Sequence, residues 1–291
     1  MLGRADGRLY VLDVGQKQLS LLPRGPGKRY VMGGAGHGPG ELMDPVALTE
    51  TREGRLFLLD RGNQRMDVYR TVADSLERVT SLPLDFVPED ACALGERLFV
   101  LGPRGGYLIH EVSPGNGRVV RSLVSDPASR DPMLSPHRAA GFVQCGPGEV
   151  LTVLPLLRPE ISRYSSVTGQ RLGRLRIPRY RATRVGQDGS GVVYRAPPGG
   201  QADYGASLTA LADGRMLVQI GPVRRGSTRY EHTSLRTFVL SWSDSTLTEL
   251  AHALPRIGYV RHDTAIAVLT DPGPALTLLP LRLDGAVGDG T

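Results

Sequence analysis

The sequence predicts an all-β chain folded as a six-bladed β-propeller of four-stranded antiparallel blades. Three observations carry that expectation. Gly and Pro make up 59 of the 291 residues, which suits many short elements joined by tight turns and lies below the collagen-like or disordered range. A unit made of a Gly-containing turn, an apolar extended run, a loop and a second alternating run recurs along the chain. No stretch keeps a helical apolar period over three turns, so helical solenoid repeats are excluded.

The repeats run in order. DGRLYVLDVGQKQLSLL starts at Asp6, EGRLFLLDRGNQRMDVY at Glu53, GERLFVLGPRGGYLIHEV at Gly95 and PGEVLTVLPLLRPEISRY at Pro147. DGRMLVQIGPVRRGS, followed by LRTFVLSW, starts at Asp213, and HDTAIAVLTDPGPALTLLPL at His262. The anchors Leu9, Leu56, Leu98, Val150, Met216 and Ala265 are 47, 42, 52, 66 and 49 residues apart, the spacing of propeller blades. One domain therefore spans 1–291, with blades near 1–33, 34–84, 85–125, 139–178, 204–255 and 256–291. The long gap is read as an insertion at 179–203, with a strand at Gly191–Ala196. The second blade parses as PVALTE (Pro45–Glu50), RLFLLD, RMDVYR and ERVTSLPL, its second strand nearly all apolar as a middle strand packed on both faces should be.

The end blades read as incomplete. The first begins at its turn, Ala5–Gly7, which leaves no residues for an inner strand. The last offers strands at Arg256–His262, Ala265–Thr270 and Ala275–Leu281, and the remaining RLDGAVGDGT is too Gly-rich for a good outer strand. The expectation is that a segment upstream of Met1 completes both blades, with the C-terminal tail closing the ring as the alternative. A longer chain would place the protein outside the cytoplasm, periplasmic or at the cell surface; a true start at Met1 would leave it cytoplasmic. The chain has no run of 18 apolar residues that could span a membrane, and its first fifteen residues hold no signal-peptide core.

Gly36-His37-Gly38-Pro39-Gly40-Glu41-Leu42, then Pro45, Leu56–Asp60, Gly62-Asn63-Gln64-Arg65 and Val68-Tyr69 resemble an NHL repeat. The chain as a whole is similar to bacterial six-bladed NHL-like propellers, many of them exported. The match is good over 33–70, fair over 6–22 and architectural after about residue 95; the third blade has Gly102 where the second has Asp60. The resemblance implies a repeat motif of Asp60, Asn63 and Arg65, read here as a turn whose Asp and Asn bond nearby backbone, with Arg65 pairing across blades.

The net charge of +6 invites an acidic partner, but 33 of the 35 basic residues are Arg and no like-charge block occurs, so nucleic acid is disfavoured. With one Trp and five Phe, stacking platforms for RNA are scarce. The glycine run Gly33–Gly40 leads into an extended segment rather than a helix, which excludes a phosphate loop. Cys92 and Cys145 sit one residue out of phase when counted to the following strand, and are read as two buried free thiols by default, with a disulfide between them as the alternative.

Loops joining second to third strands share one face and carry Lys17, Arg61, Arg104, Arg158 and Arg224–Arg225; the loops between blades add His37, His137 and Arg179. Of these, His37, Arg61, Arg104, His137, Arg158, Arg224 and Arg225 are the candidate ligand-binding residues, a basic rim suited to a carboxylate, phosphate or anionic glycan. No catalytic residue, metal site or cofactor is assigned: the six His show no metal-ligand spacing, and Ser135-Pro136-His137 lacks a nucleophile elbow. The expected function is non-catalytic recognition, by a monomer, of a protein segment or an anionic small molecule or glycan. The alternative is a metal-dependent hydrolase or lyase in the central channel, drawing on inner-strand residues such as Glu50, Asp90, Gln144, Asp213 and His262.

Overall fold

Alternation along the middle strands dictates the architecture. In Arg55–Asp60 the side chains of Leu56 and Leu58 point one way and those of Phe57 and Leu59 the other, and all four are fully buried. A sheet that is apolar on both faces needs a neighbour on each side, and a ring of sheets supplies one.

The structure is a computed structural model that describes residues 1–4, 6–189, 191–224, 234–262, 264–269 and 275–281. It is an all-β, six-bladed propeller. The first blade contains β1 (Leu2–Gly3), β2 (Leu9–Asp13), β3 (Gln18–Leu22) and β4 (Tyr30–Gly33). The second has β5 (Pro45–Glu50), β6 (Arg55–Asp60), β7 (Arg65–Val72) and β8 (Ser75–Pro83). The third has β9 (Asp90–Leu94), β10 (Arg97–Arg104), β11 (Tyr107–Val112) and β12 (Val119–Ser125). A 3-10 turn (Pro127–Arg130) and the short helix α1 (Ser135–Ala139) lead to β13 (Gly141–Gly146), β14 (Val150–Pro155), β15 (Glu160–Ser165) and β16 (Arg171–Arg176) of the fourth. A separate hairpin, β17 (Arg184–Asp188) with β18 (Gly191–Arg195), precedes the fifth blade. That blade has β19 (Gln201–Ala210), β20 (Met216–Arg224), β21 (Arg236–Ser241) and β22 (Thr246–Glu249). The sixth shows β23 (Arg256–Arg261), β24 (Thr264–Leu269) and β25 (Ala275–Pro280). Within each blade, chain neighbours pair antiparallel from the inner strand outward.

Apolar clusters fill the first five interfaces. Tyr10, Leu19 and Leu21 meet Leu56, Leu58 and Tyr69 between blades one and two; Phe57, Leu59 and Met66 meet Leu98 and Val100 between two and three. Phe99 and Ile109 meet Val143 and Leu151, Leu154 and Ile161 meet Val218 and Phe238, and Leu217 and Val239 meet Ile257, Ala265 and Ala267. At about 1.5–3 kcal/mol per buried large apolar side chain, these interfaces dominate the stability of the ring.

The expectation for the first blade is corrected. Leu2 and Gly3 form its inner strand, paired with Tyr10 and Leu9, so the blade has four strands of its own. A two-residue strand cannot display period-two alternation, which is why the sequence hides it. It packs against β23 with little clearance: a Cβ on Gly3 would stand 1.9 Å from Cζ of Tyr259, and one on Gly258 2.0 Å from Cε of Met1. The tail at 282–291, to which the alternative closure assigned a strand, lies outside the described residues.

The free-thiol expectation is also corrected. Cys92 on β9 and Cys145 on β13 form a disulfide, with Cα atoms 5.5 Å apart, that ties the inner strands of blades three and four. The apparent phase difference comes from the turns. Leu94 pairs with Arg97 across two residues, whereas Gly146 pairs with Val150 across three, so counting through the hairpins adds a residue that has no bearing on the inner strands. Replacing both cysteines by serine should lower the unfolding free energy by about 2–4 kcal/mol, since the crosslink closes a loop with a sequence separation of 53. Urea titration reads this as a lower midpoint, and an unmoved midpoint would show that the bond does not form in the folded protein.

Candidate recognition surface

Asp60, Asn63 and Arg65 build a structural knot at the end of β6. The fully buried Asp60 carboxylate accepts the amides of Met43 (3.0 Å) and Asp44 (2.8 Å) and the Asn63 side-chain amide (2.6 Å). Asn63 also donates to the Gly36 carbonyl (3.1 Å). Arg65 does not pair with a carboxylate across blades. Its guanidinium reaches Asp67 on its own strand (3.2 Å) and gathers the carbonyls of His37 (3.2 Å), Gly38 (3.1 Å) and Glu41 (2.5 Å). The glycine loop thus presents carbonyls to an arginine instead of amides to a phosphate. Gly36, at φ 156°, is held by tight packing, because a Cβ there would stand 2.1 Å from the Glu41 carboxylate.

The third blade solves the same problem differently. A Cβ on Gly102 would stand 2.4 Å from the Val87 carbonyl oxygen, so the missing side chain lets the incoming segment approach. The Gly102 carbonyl accepts from Nε2 of His110 (3.0 Å), whose Nδ1 lies 2.9 Å from the Ser122 hydroxyl. Burial lowers this imidazole to about 4, so it is neutral at physiological pH.

The basic rim is largely neutralised within the chain. Arg61 bonds Asp44 and Glu89, both at 2.7 Å, and burial raises the Glu89 carboxyl despite that partner. Arg104 clasps Asp85 at 2.7–3.0 Å and holds its carboxyl below the usual range. Arg179 pairs with Glu249 at 2.6 Å, and His37 meets the Asn63 side-chain oxygen at 2.6 Å. Arg224 ends β20, paired in register with Gln201, and Arg225 lies outside the described residues.

His137 and Arg158 are brought together. Arg158 donates to the Arg138 carbonyl of α1 (3.0 Å), and His137 Nδ1 lies 2.5 Å from the Tyr194 hydroxyl on the inserted hairpin. The hairpin reaches back across blade four, where the Gln187 amide donates to both oxygens of Asp131 at 3.1 Å. The result is a crest on the loop face, made from α1, the β14–β15 loop and the β17–β18 hairpin. Met133 and Tyr194 are about half exposed on it (49% and 51%), together with exposed Arg158, and the exposed cross-strand pair Arg184 and Arg195 lies on the opposite face of the hairpin from Tyr194. The sequence pointed to His137 and Arg158 by their loop positions. It missed Met133 and Tyr194, because nothing local says that an insertion folds back onto the preceding linker.

The channel holds a second polar group of residues. Asp90 on β9 accepts the Val143 amide (2.8 Å), and enclosure by protein lifts its carboxyl to about 7. Burial likewise lowers Arg256 on β23, whose guanidinium makes no hydrogen bond or ion pair among the described residues. Both side chains are enclosed by the ring yet keep some contact with the channel space. Among the described residues, no three His, Cys, Asp or Glu side chains converge as a metal-ligand set. The inner-strand Glu50 and the turn residue Asp213 bond arginines instead, Arg4 and Arg215.

No family model matches the chain, and no curated protein does. Among solved structures it is similar to virginiamycin B lyase from Staphylococcus aureus, at 13% identity and a TM-score of 0.54, over 91% of this chain and 74% of that one. It is also similar to U3-55K, at 11% identity and a TM-score of 0.60 over 95% and 92% of the two chains, and to the RRP9 WD40 repeats, at 11% and 0.59 over the same shares. At these identities the likeness is one of fold.

Two predictions follow from the charges. Arg61→Ala should destabilise the protein by about 3 kcal/mol by stranding the buried Glu89, and Arg61→Ala with Glu89→Gln should recover most of that loss in urea titrations. If Arg61 served only a ligand, the single variant would be as stable as the parent. Asp90 ionises less readily when folded than at its ordinary 3.8, so the folded state keeps this proton longer. Its contribution to stability is therefore greatest below pH 4 and declines as the pH rises to about 7. Asp90→Asn should match the parent at pH 4 and exceed it by about 2 kcal/mol at pH 8, allowing for channel water. Melting curves across that range read the divergence, and parallel curves would contradict it.

Proposed function

We propose that this protein is a non-catalytic recognition propeller that holds an acidic protein segment against the crest formed by α1, the β14–β15 loop and the inserted hairpin. The observation that carries the proposal is the placing of exposed Met133 and Tyr194 with Arg158 on elements pinned by side-chain hydrogen bonds, while Arg184 and Arg195 add positive charge on the other face of the same hairpin. Tyr, Met and Arg are the side chains enriched in protein interfaces, and a pinned crest loses little entropy on binding. An anionic glycan would use the same cations but would depend less on Met133.

Much of the remaining charge on this face supports the same reading from the other side. Arg61, Arg104 and Arg179 are paired within the chain, which leaves the crest, among the described residues, as a source of unpaired positive charge on the loop face. An exported location is part of the proposal, and the Cys92–Cys145 disulfide supports it because such bonds persist in oxidising compartments. The resemblance of the second blade to an NHL repeat points the same way.

Arrays of acidic, neutral and basic peptides, read by fluorescence anisotropy, test the proposal. Acidic sequences with an apolar residue should bind, weakening as salt rises. Arg158→Glu and Tyr194→Ala should each raise Kd by about tenfold or more, with circular dichroism showing each variant folded. Equal binding of all three peptide classes, or indifference to both substitutions, would remove the crest from consideration.

A further inference from the structure

We propose that the wedge between the sixth and first blades is a binding site for a small amphiphilic carboxylate, a molecule with one anionic head and a compact apolar body. The first five interblade interfaces are filled by clusters of buried apolar side chains. Among the described residues no such cluster spans the sixth. A cavity of about 280 Å³ lies there instead, with Leu9, Tyr259, Ile266 and Leu278 on its walls and Arg261 and His262 at one end.

The two walls differ in chemistry. Tyr259, Ile266 and Leu278 are cross-strand partners, so they form one row on the face of blade six turned toward blade one. Leu278 is 70% exposed, an unusual state for the middle of a strand row whose opposite face is buried against blade five. Leu9 faces this row from β2. At the turn end the cavity is ringed by three arginines, with His262 beside them. Arg4 is held by Asp6, Glu50, Tyr10 and Thr71, and Arg8 by Asp6. Arg261 and His262 make no hydrogen bond or ion pair among the described residues. An anionic head would gain charge-assisted hydrogen bonds from Arg261 and a hydrogen bond from the His262 ring, while the body would cover Ile266 and Leu278. The volume suits a ligand at the small end of the usual pocket range. This site lies by the turns that join first to second strands, on the side opposite the crest, so it does not depend on the proposed partner.

Octanoate is the probe, with octan-1-ol and octylamine as matched controls of the same chain length. Isothermal titration should show one octanoate per chain, binding at least about tenfold more tightly than the alcohol, with the amine weakest. Arg261→Gln should cost octanoate about tenfold or more, and Leu278→Asp should abolish binding of octanoate; both sites are exposed, and circular dichroism should show each variant folded. His262→Gln provides a second variant at the head-group end if Arg261→Gln fails to fold. Equal affinity for acid and alcohol, no binding of octanoate at millimolar concentration, or unchanged affinity in the head-group variants would each overturn the proposal. A concentration-dependent dimer that loses its contact in Leu278→Asp, with no octanoate uptake, would overturn it in favour of a second copy of the chain.

Discussion

A propeller blade cannot be stable by itself. Its middle strands are apolar on both faces, so each blade is the solvent-excluding wall of the next, and the ring must come close to closure. Here the constraint is met unevenly. Five interfaces are apolar and continuous, whereas the sixth joins β1 to β23 through two glycines that let Tyr259 and Met1 into contact distance. Crosslinking is also uneven. The Cys92–Cys145 bond staples blades three and four, half a ring away from the seam, where packing is already continuous.

The buried polar groups follow from the same constraint. Each inner strand begins where a linker enters from the preceding blade, and the linker's amides need acceptors that the sheets do not supply. Blade two supplies the Asp60 carboxylate, blade three removes a side chain at Gly102, and blade five uses Asp203, which takes the Arg181 amide at 2.7 Å and its guanidinium at 2.6 Å. In the fifth blade Gln219 serves the next linker, accepting the Ile257 amide (2.7 Å) and donating to the Pro255 carbonyl (3.0 Å). Three different chemistries, a carboxylate in blades two and five, a missing side chain in blade three and an amide side chain in blade five, do one job. This is why an Asp–Asn–Arg signature seen in one blade fades in the others while the architecture persists.

What the sequence made legible was periodic. The alternation of Leu56–Asp60 and the spacing of the anchors revealed strands, blades and ring, and the hairpin at Gly191–Arg195 was visible as an extended run outside the repeat. What it concealed was aperiodic or depended on contacts between distant segments. Leu2–Gly3 is too short to alternate, and the phase of Cys145 was masked by a three-residue turn. The rim arginines looked alike in the sequence. Only the fold shows that Arg61 and Arg104 are spent on Asp44, Glu89 and Asp85, while Arg158 lies on a crest.

A repeat fold leaves few places for function. Any side chain at a repeating position is held by its neighbours above and below, and changing it for a ligand would cost an interface. Freedom lies where the repeat is interrupted. The inserted hairpin adds surface without displacing a blade, so Met133 and Tyr194 can stay exposed at no expense to the core. The seam is the one interface whose two walls come from opposite ends of the chain, so its apolar row is not matched by a neighbouring repeat. The channel gathers Asp90 and Arg256 because inner strands from different blades meet there without pairing, and burial pushes the Asp90 carboxyl up and the Arg256 guanidinium down. Crest, seam and channel are thus three consequences of one geometry, and the chemistry of each is set by which part of the repeat is missing.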